Sequence, residues 1–259
     1  FRMLVLLSCA KTMSAVSKVK VPLTTSPRFQ KEAAEIALQM SQFSVDELER
    51  LLRVNAKIAV ENYKRYQAFH AEATPELPAL LAYTGIVFKR LNPKDFSAED
   101  FGYAQEHLRL TSFCYGLLRP LDVIRAYRLE GDVVLPELGN QTLFSYWRSR
   151  LTDTFIEDIR SAGGILCNLA SDEMKSLFDW KRVESEVRVV TPEFHVWKNG
   201  KLATIVVYTK MSRGEMTRFI LKNKIGNPEE LKGFSWEGFE FDESLSDERK
   251  LVFINGMGE

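Results

Sequence analysis

Residues 163–173 read GGILCNLASDE. Gly163 and Gly164 free the chain from whatever precedes them, and Ile165 to Leu169 is a short apolar run, the pattern of a strand buried on both faces. The run stops in Ala170, Ser171, Asp172 and Glu173, a small residue followed by polar groups. Near the start of the chain, Met3 to Leu7 repeats the plan: an apolar strand that ends at Ser8, Cys9, Ala10, Lys11 and Thr12. Two buried strands of this kind, far apart and each followed by a polar turn, point to an α/β sheet whose carboxyl edge assembles a site.

The segments between and beyond them fill in the fold. A polar loop leads to Pro27, and helices are predicted from about Arg28 to Met40, from the capping box Ser44/Glu47, and from about Asn55 to His70. Gly85-Ile86-Val87-Phe88 is a short apolar element. Ser97 and Asp100 cap a helix carrying Phe101, Ala104, Leu108 and Leu110, and another from Thr142 to Arg160 has an apolar stripe suited to a core. Arg188 to Val196 and Leu202 to Tyr208 read as a hairpin around Lys198-Asn199-Gly200, after which Arg213-Gly214 opens a helix. Asn227-Pro228 caps a further helix, and Phe239 to Phe241 and Leu251 to Ile254 close as strands. The expected class is α+β (mixed α/β), a central mixed sheet surrounded by helices.

The run from Ser112 to Glu130, SFCYGLLRPLDVIRAYRLE, carries the densest set of signals. Gly116 can close a tight turn with positive φ, and Pro120 suits the first position of a helix, so the run reads as helix, hairpin, helix. Unpaired N–H groups at such a turn, with Arg119, Arg125 and Arg128 nearby, can grip a nucleic-acid phosphate. The plainer alternative is a structural hairpin whose arginines pair with Asp122 and Glu130.

Composition limits what such a site can do. The chain has 259 residues, 45% hydrophobic and 27% charged, enough for a large core and unlike a disordered protein. Its formal net charge is zero, which argues against coating nucleic acid by bulk attraction; an anion site must come from local segregation. From Ser171 to Lys224 eleven basic residues face seven acidic ones, and from Asn227 onward three face nine. Cys9, Cys114 and Cys167 are isolated in apolar settings, the usage of a reducing, cytoplasmic protein. With His70, His107 and His195 also scattered, neither a metal site nor a cofactor is expected. Met3 to Leu7 is too short for a membrane span, and Phe1 and Arg2 precede a methionine that reads as a natural start.

Four polar clusters stand at element ends: Lys11 with Thr12, Arg119 to Glu130, Ser171 to Glu173, and Lys210 with Arg213 and Arg218. If they converge, they line a basic cleft with carboxylates at its floor. No Gly-x-Ser-x-Gly elbow, P-loop or dinucleotide fingerprint is present. Such a cleft could bind DNA or a nucleotide. It could equally act on a nucleic-acid or nucleotide bond, with Asp122, Glu130, Asp172 or Glu173 as acid or base and Lys11 or Lys210 stabilising charge.

The strings MLVLLSCAKTM, AQEHLRLTSFCYGLLRPLDVIRAYRLE, LCNLASDEMKSLF and YTKMSRGEMTRFILKNKI, in this order, resemble the YaaA family of bacterial peroxide-stress proteins from Met3 to about Phe253. The resemblance implies one YaaA-like domain over 1–259, a cytoplasmic protein that limits oxidative damage linked to free iron, and DNA binding through a helix-hairpin-helix beside a basic cleft. It puts the hairpin at Tyr115 to Asp122 and implies Lys11, Tyr115, Gly116, Arg119, Arg128, Lys175, Lys210, Arg213 and Arg218 as nucleic-acid contacts. Duplex or distorted DNA with little sequence preference is the expected partner, bound by a monomer that acts as a binder before an enzyme. Cys9, Met174, Ile86 and Phe88 depart from the family pattern, whereas the basic positions are kept.

Overall fold

The structure, a computed structural model, describes residues 2–256; Phe1 and the acidic Glu259 lie outside them. Its centre is a nine-stranded mixed sheet. In chain order the strands are β1 (Leu4–Leu7), β2 (Leu108–Ser112), β3 (Gly116–Leu118), β4 (Ile165–Asn168), β5 (Arg188–Lys198), β6 (Lys201–Ala203), β7 (Ser235–Trp236), β8 (Phe239–Phe241) and β9 (Lys250–Asn255). Their spatial order is β7-β8-β9-β5-β4-β1-β2-β3, with β6 pairing β5. The inner pairs β1 with β2, β1 with β4, β4 with β5 and β5 with β9 are parallel, and the outer pairs are antiparallel. Every residue of β1 and β4 is buried, as expected of parallel strands covered on both faces.

Helices cover this sheet: α1 (Gln30–Met40), α2 (Val45–Leu52), α3 (Ala56–Ala68), α4 (Ala79–Ala82), α5 (Ile86–Leu91), α6 (Ala98–His107), α7 (Leu143–Ser161), α8 (Trp180–Glu186) and α9 (Val206–Asn223). The capping boxes of Ser44 with Glu47 and Ser97 with Asp100 both form, so α2 and α6 begin where the sequence sets them. The apolar stripe of α7, including Trp147, Leu151, Phe155 and Ile159, is buried against the sheet.

The run from Ser112 to Glu130 is not a helix-hairpin-helix. Helix α6 ends at His107, and Leu108 enters the sheet beside β1, pairing with Val5. After Ser112 the chain turns back as β3, with Leu110 opposite Leu118 and Ser112 opposite Gly116. Gly116 does take positive φ, but in a β-hairpin, and a Cβ there would lie 2.7 Å from the Trp147 ring. Pro120 starts no helix. It lies in a turn closed by Asp122, whose N–H donates to the Arg119 carbonyl and whose carboxylate accepts from the Arg119 N–H. A strand edge that buries Leu108, Leu110, Leu117 and Leu118 outweighs the local helix signals.

A second difference lies at α9. Strand β6, the hairpin partner of β5, ends at Ala203, and the helix opens at Val206, well before Arg213. Arg213 and Gly214 are therefore mid-helix. Gly214 packs directly on α5, where an added Cβ would lie 2.3 Å from the Val87 carbonyl oxygen.

Candidate functional site

β1 leads on to β2 on one side of it, while β4, its other neighbour, leads on to β5 on the opposite side. The loops after β1 and β4 therefore diverge and leave a crevice between the two strand ends, the place where open parallel sheets bind ligands. The two ends are tied together there: the Ser171 N–H donates to Ser8 Oγ at 2.8 Å, and Ser8 Oγ donates to Ser171 Oγ at 3.3 Å. Beside them the Cys9 N–H donates to Thr111 Oγ1 of β2.

The crevice widens into a cavity of about 460 Å³. Ser8, Cys9 and Lys11 come to it from β1, and Ser171, Glu173 and Met174 from β4. Gly85 and the first turn of α5, Ile86 to Phe88, form one wall, Phe113, Tyr127 and Arg128 another, and Lys210 and Arg213 reach in from α9. Lys210 and Arg213 are three residues apart, so they share a helix face. Gly214 lets that helix lie against α5 closely enough for both to line one space. Tyr127 is fixed by hydrogen bonds of 2.5 Å with the Tyr83 hydroxyl and 2.6 Å with Ser112 Oγ. A depression of about 570 Å³ elsewhere sets Glu229, Glu243, Asp247 and Glu248 against Arg188 and Lys232, a net acidic lining unsuited to an anion.

The charged residues singled out by sequence separate into two sets. Arg119 pairs with fully buried Asp122 at 2.9 Å and also donates to the Ser26 carbonyl. Arg125 holds Glu76 and the Phe69 and Ala71 carbonyls, and Arg218 holds Asp95 at 2.5 Å. Lys175 pairs with the exposed Asp172. Tyr115 is buried, its hydroxyl accepting the Arg125 N–H, and Gly116 is packed under Trp147. None of these lines the cavity, and their partners give each a structural task. Asp122 in particular accepts from Thr25 and Arg119 and is committed to the fold.

Lys11, Arg128, Lys210 and Arg213 do line the cavity. Lys11 pairs with the buried Glu130 at 2.9 Å. Arg128 and Arg213 have no carboxylate within salt-bridge distance among the described residues, and Arg128 Nε is buried without a hydrogen-bond partner. Burial lowers the pKa of the Arg213 guanidinium from its ordinary value, only partly opposed by Asp172. It still carries its charge at neutral pH. Glu173 is the acidic residue of the lining. It stands exposed at the mouth, yet loss of hydration first, and then the Glu130 carboxylate, raise its pKa against the pull of Lys11. Among the described residues no group of three or more His, Cys, Asp and Glu side chains could hold a metal ion. Nor is any helix among them long and apolar enough to cross a membrane.

Residues 3–245 match the family described as peroxide stress protein YaaA. A UPF0246 protein of Bacteroides thetaiotaomicron is 99% identical over 257 residues, covering 99% of this chain and 100% of that protein. A UPF0246 protein of Bacteroides fragilis is 78% identical over the same share of each chain. One from Crocosphaera subtropica is 38% identical over 97% of this chain and 100% of that protein. The chain belongs to the YaaA peroxide stress family.

For a YaaA protein the first question is whether peroxide could react with it directly. Burial pushes the Cys9 thiol up to about 12, against the hydrogen bond from Thr111, although Cys9 lines the cleft. Burial pushes Cys167 up to about 12 and Cys114 higher still. Peroxide attacks thiolates, so all three are poor targets at neutral pH. The YaaA chain thus offers peroxide no activated cysteine. The feature specific to it is the cleft, whose apolar half, Phe88, Phe113 and Tyr127, no sequence motif announces. Phe88 stands in α5 while Phe113 and Tyr127 lie in the run from Ser112 to Glu130, and only the folded chain brings the two segments together.

Proposed function

We propose that this YaaA-family protein acts in the cytoplasm during peroxide stress by binding DNA in the switch-point cleft. It holds phosphates through Arg128, Lys210 and Arg213 and receives an unpaired or displaced nucleotide in the cavity. The observation that carries this reading is the partnering of the arginines. Arg119 is paired with buried Asp122 and Arg125 and Arg218 with the exposed Glu76 and Asp95, while Arg128 and Arg213, without a carboxylate partner, face one cavity from different elements. An arginine fork without a carboxylate in a partly desolvated cleft suits a phosphate.

The size of the cavity, about 460 Å³, suits a single nucleotide better than the width of a duplex. Phe88, Phe113 and Tyr127, each almost wholly buried, give it an apolar floor that a base of any sequence can contact. Displacing a nucleotide costs least where it is already unpaired, so bulged or single-stranded DNA should bind before perfect duplex. The three free cysteines accord with a reducing compartment.

Fluorescence anisotropy with duplex, bulged and single-stranded oligonucleotides across a salt series tests the proposal. Affinity should fall steeply with salt and follow the order single-stranded or bulged above duplex. Arg213→Ala should weaken binding across sequences and reduce the salt slope by about 1, whereas Arg218→Ala should leave the slope alone. A salt slope near zero for the wild-type chain would sink the reading.

A further inference from the structure

We propose that the cleft also hydrolyses the N-glycosidic bond of the nucleotide it receives, with Glu173 as the catalytic residue that protonates the departing base. This rests on the nucleotide-binding reading above. Glu173 is the one acidic side chain among the lining residues, and Lys11 is the lining cation whose charge acts on it. Such a carboxylate would ordinarily be neutralised by an ion pair. Lys11 is instead engaged by Glu130 at 2.9 Å, and Glu173 has no salt-bridge partner among the described residues. An ion pair keeps a carboxylate ionised and useless as a proton donor, while an unpaired one crowded by a second carboxylate keeps its proton more readily. The direction in which Glu173 is shifted agrees: loss of hydration and Glu130 both favour its protonated form.

The rest of the lining fits the same bond. With the phosphate on Arg128, Lys210 and Arg213, the base is directed to the apolar wall of Phe88, Phe113 and Tyr127. As the bond between C1′ and the base nitrogen breaks, positive charge grows on the sugar, and the bound phosphate, with the Glu173 carboxylate left as its proton departs, stabilises it. The bonding electron pair leaves with the base nitrogen, which takes the Glu173 proton. A water molecule adds to C1′ through its oxygen and gives a proton back to Glu173. One water is consumed, a free base and an abasic sugar are formed, and nothing is oxidised or reduced.

The test uses the full chain with labelled oligonucleotides that carry an unpaired guanine or, as an oxidised base, an unpaired 8-oxoguanine. Free base is read by mass spectrometry, abasic sites by alkaline strand cleavage, and binding by anisotropy in parallel. Base release is expected from at least one oligonucleotide. In Glu173→Gln it should fall by about 10²-fold or more, the scale of a lost general acid, with equal or tighter DNA binding. Glu173→Asp should recover part of the rate. Binding without base release, or equal release from Glu173→Gln, overturns this inference and leaves the binding reading standing. Failure to bind any of these oligonucleotides overturns both.

Discussion

At the scale of single residues, chemically identical side chains take opposite roles according to what stands beside them. Arg119 and Arg213 are equally attractive as phosphate ligands in the sequence, but Arg119 neutralises a carboxylate with no solvent exposure. Replacing it strands the Asp122 charge in the interior, although Thr25 Oγ1 still donates to it at 2.6 Å. Arg119→Ala should therefore cost about 2–3 kcal/mol of stability, read from the urea midpoint, and leave the DNA affinity of the folded protein unchanged. Arg213→Ala should do the reverse, because it has no carboxylate to strand. Equal stability losses in the two variants would refute this assignment. The cysteines permit a similarly direct check. With Cys9 and Cys167 pushed up to about 12 and Cys114 beyond, native protein exposed to peroxide at neutral pH should keep three reduced thiols by mass spectrometry. Rapid sulfenic-acid formation at Cys9 would contradict the burial argument.

At the scale of elements, the close approach of α5 to α9 makes the cleft, and Gly214 makes the approach possible. A methyl group there meets the Val87 carbonyl at 2.3 Å, a backbone atom that can retreat only if α5 moves. Gly214→Ala should cost about 1–3 kcal/mol as overpacking and weaken DNA binding by shifting the wall of Gly85 to Phe88. Thermal unfolding and anisotropy on the same sample check both, and an intact midpoint would argue that α5 is free to shift. Elements differed sharply in how well the sequence declared them. β1, β4 and the capped starts of α2 and α6 were legible, because an apolar run between turn residues and a Ser-x-x-acid cap each have one simple structural solution. The run from Ser112 to Glu130 was not. Its glycine and proline permit a helical hairpin, and β1 decides otherwise by offering a strand edge to Leu108, a partner more than a hundred residues away. The cleft was legible only in part for the same reason. Strand-end residues such as Lys11 and Glu173 follow recognisable runs, but whether an arginine is paired depends on tertiary neighbours that spacing does not encode.

At the scale of the whole molecule, carboxylates that join distant elements should set its behaviour in acid, and one cleft carboxylate should act in the opposite sense. Asp100, near the start of α6, binds Lys222 at 2.9 Å in α9 and Lys224 at 3.1 Å just after it. Burial alone would raise its pKa, but Lys222, the Ser97 N–H and Lys224 outweigh burial and hold it well below the ordinary carboxylate range. Asp158 is likewise lowered despite its burial, by Arg28 and Arg109. For both groups the unfolded chain binds protons more readily than the folded one. Their stabilisation is complete above the ordinary carboxylate pKa and is lost as pH falls through the folded-state value. Urea unfolding across pH should therefore give a stability that holds above about pH 5 and declines toward about pH 2. Asp100→Asn should lower the plateau and flatten the decline; a parallel curve would show that the link from α6 to α9 contributes nothing. Glu173 carries the opposite sign, because its folded-state pKa is raised. Its ionisation disfavours the fold as pH rises, so Glu173→Gln should be at least as stable as the wild type at neutral pH. A carboxylate that the fold would be better without needs another reason to be in the cleft, and proton transfer to a bound nucleotide supplies one. If Glu173→Gln instead unfolds more easily at neutral pH, Glu173 is a structural group and that reason disappears.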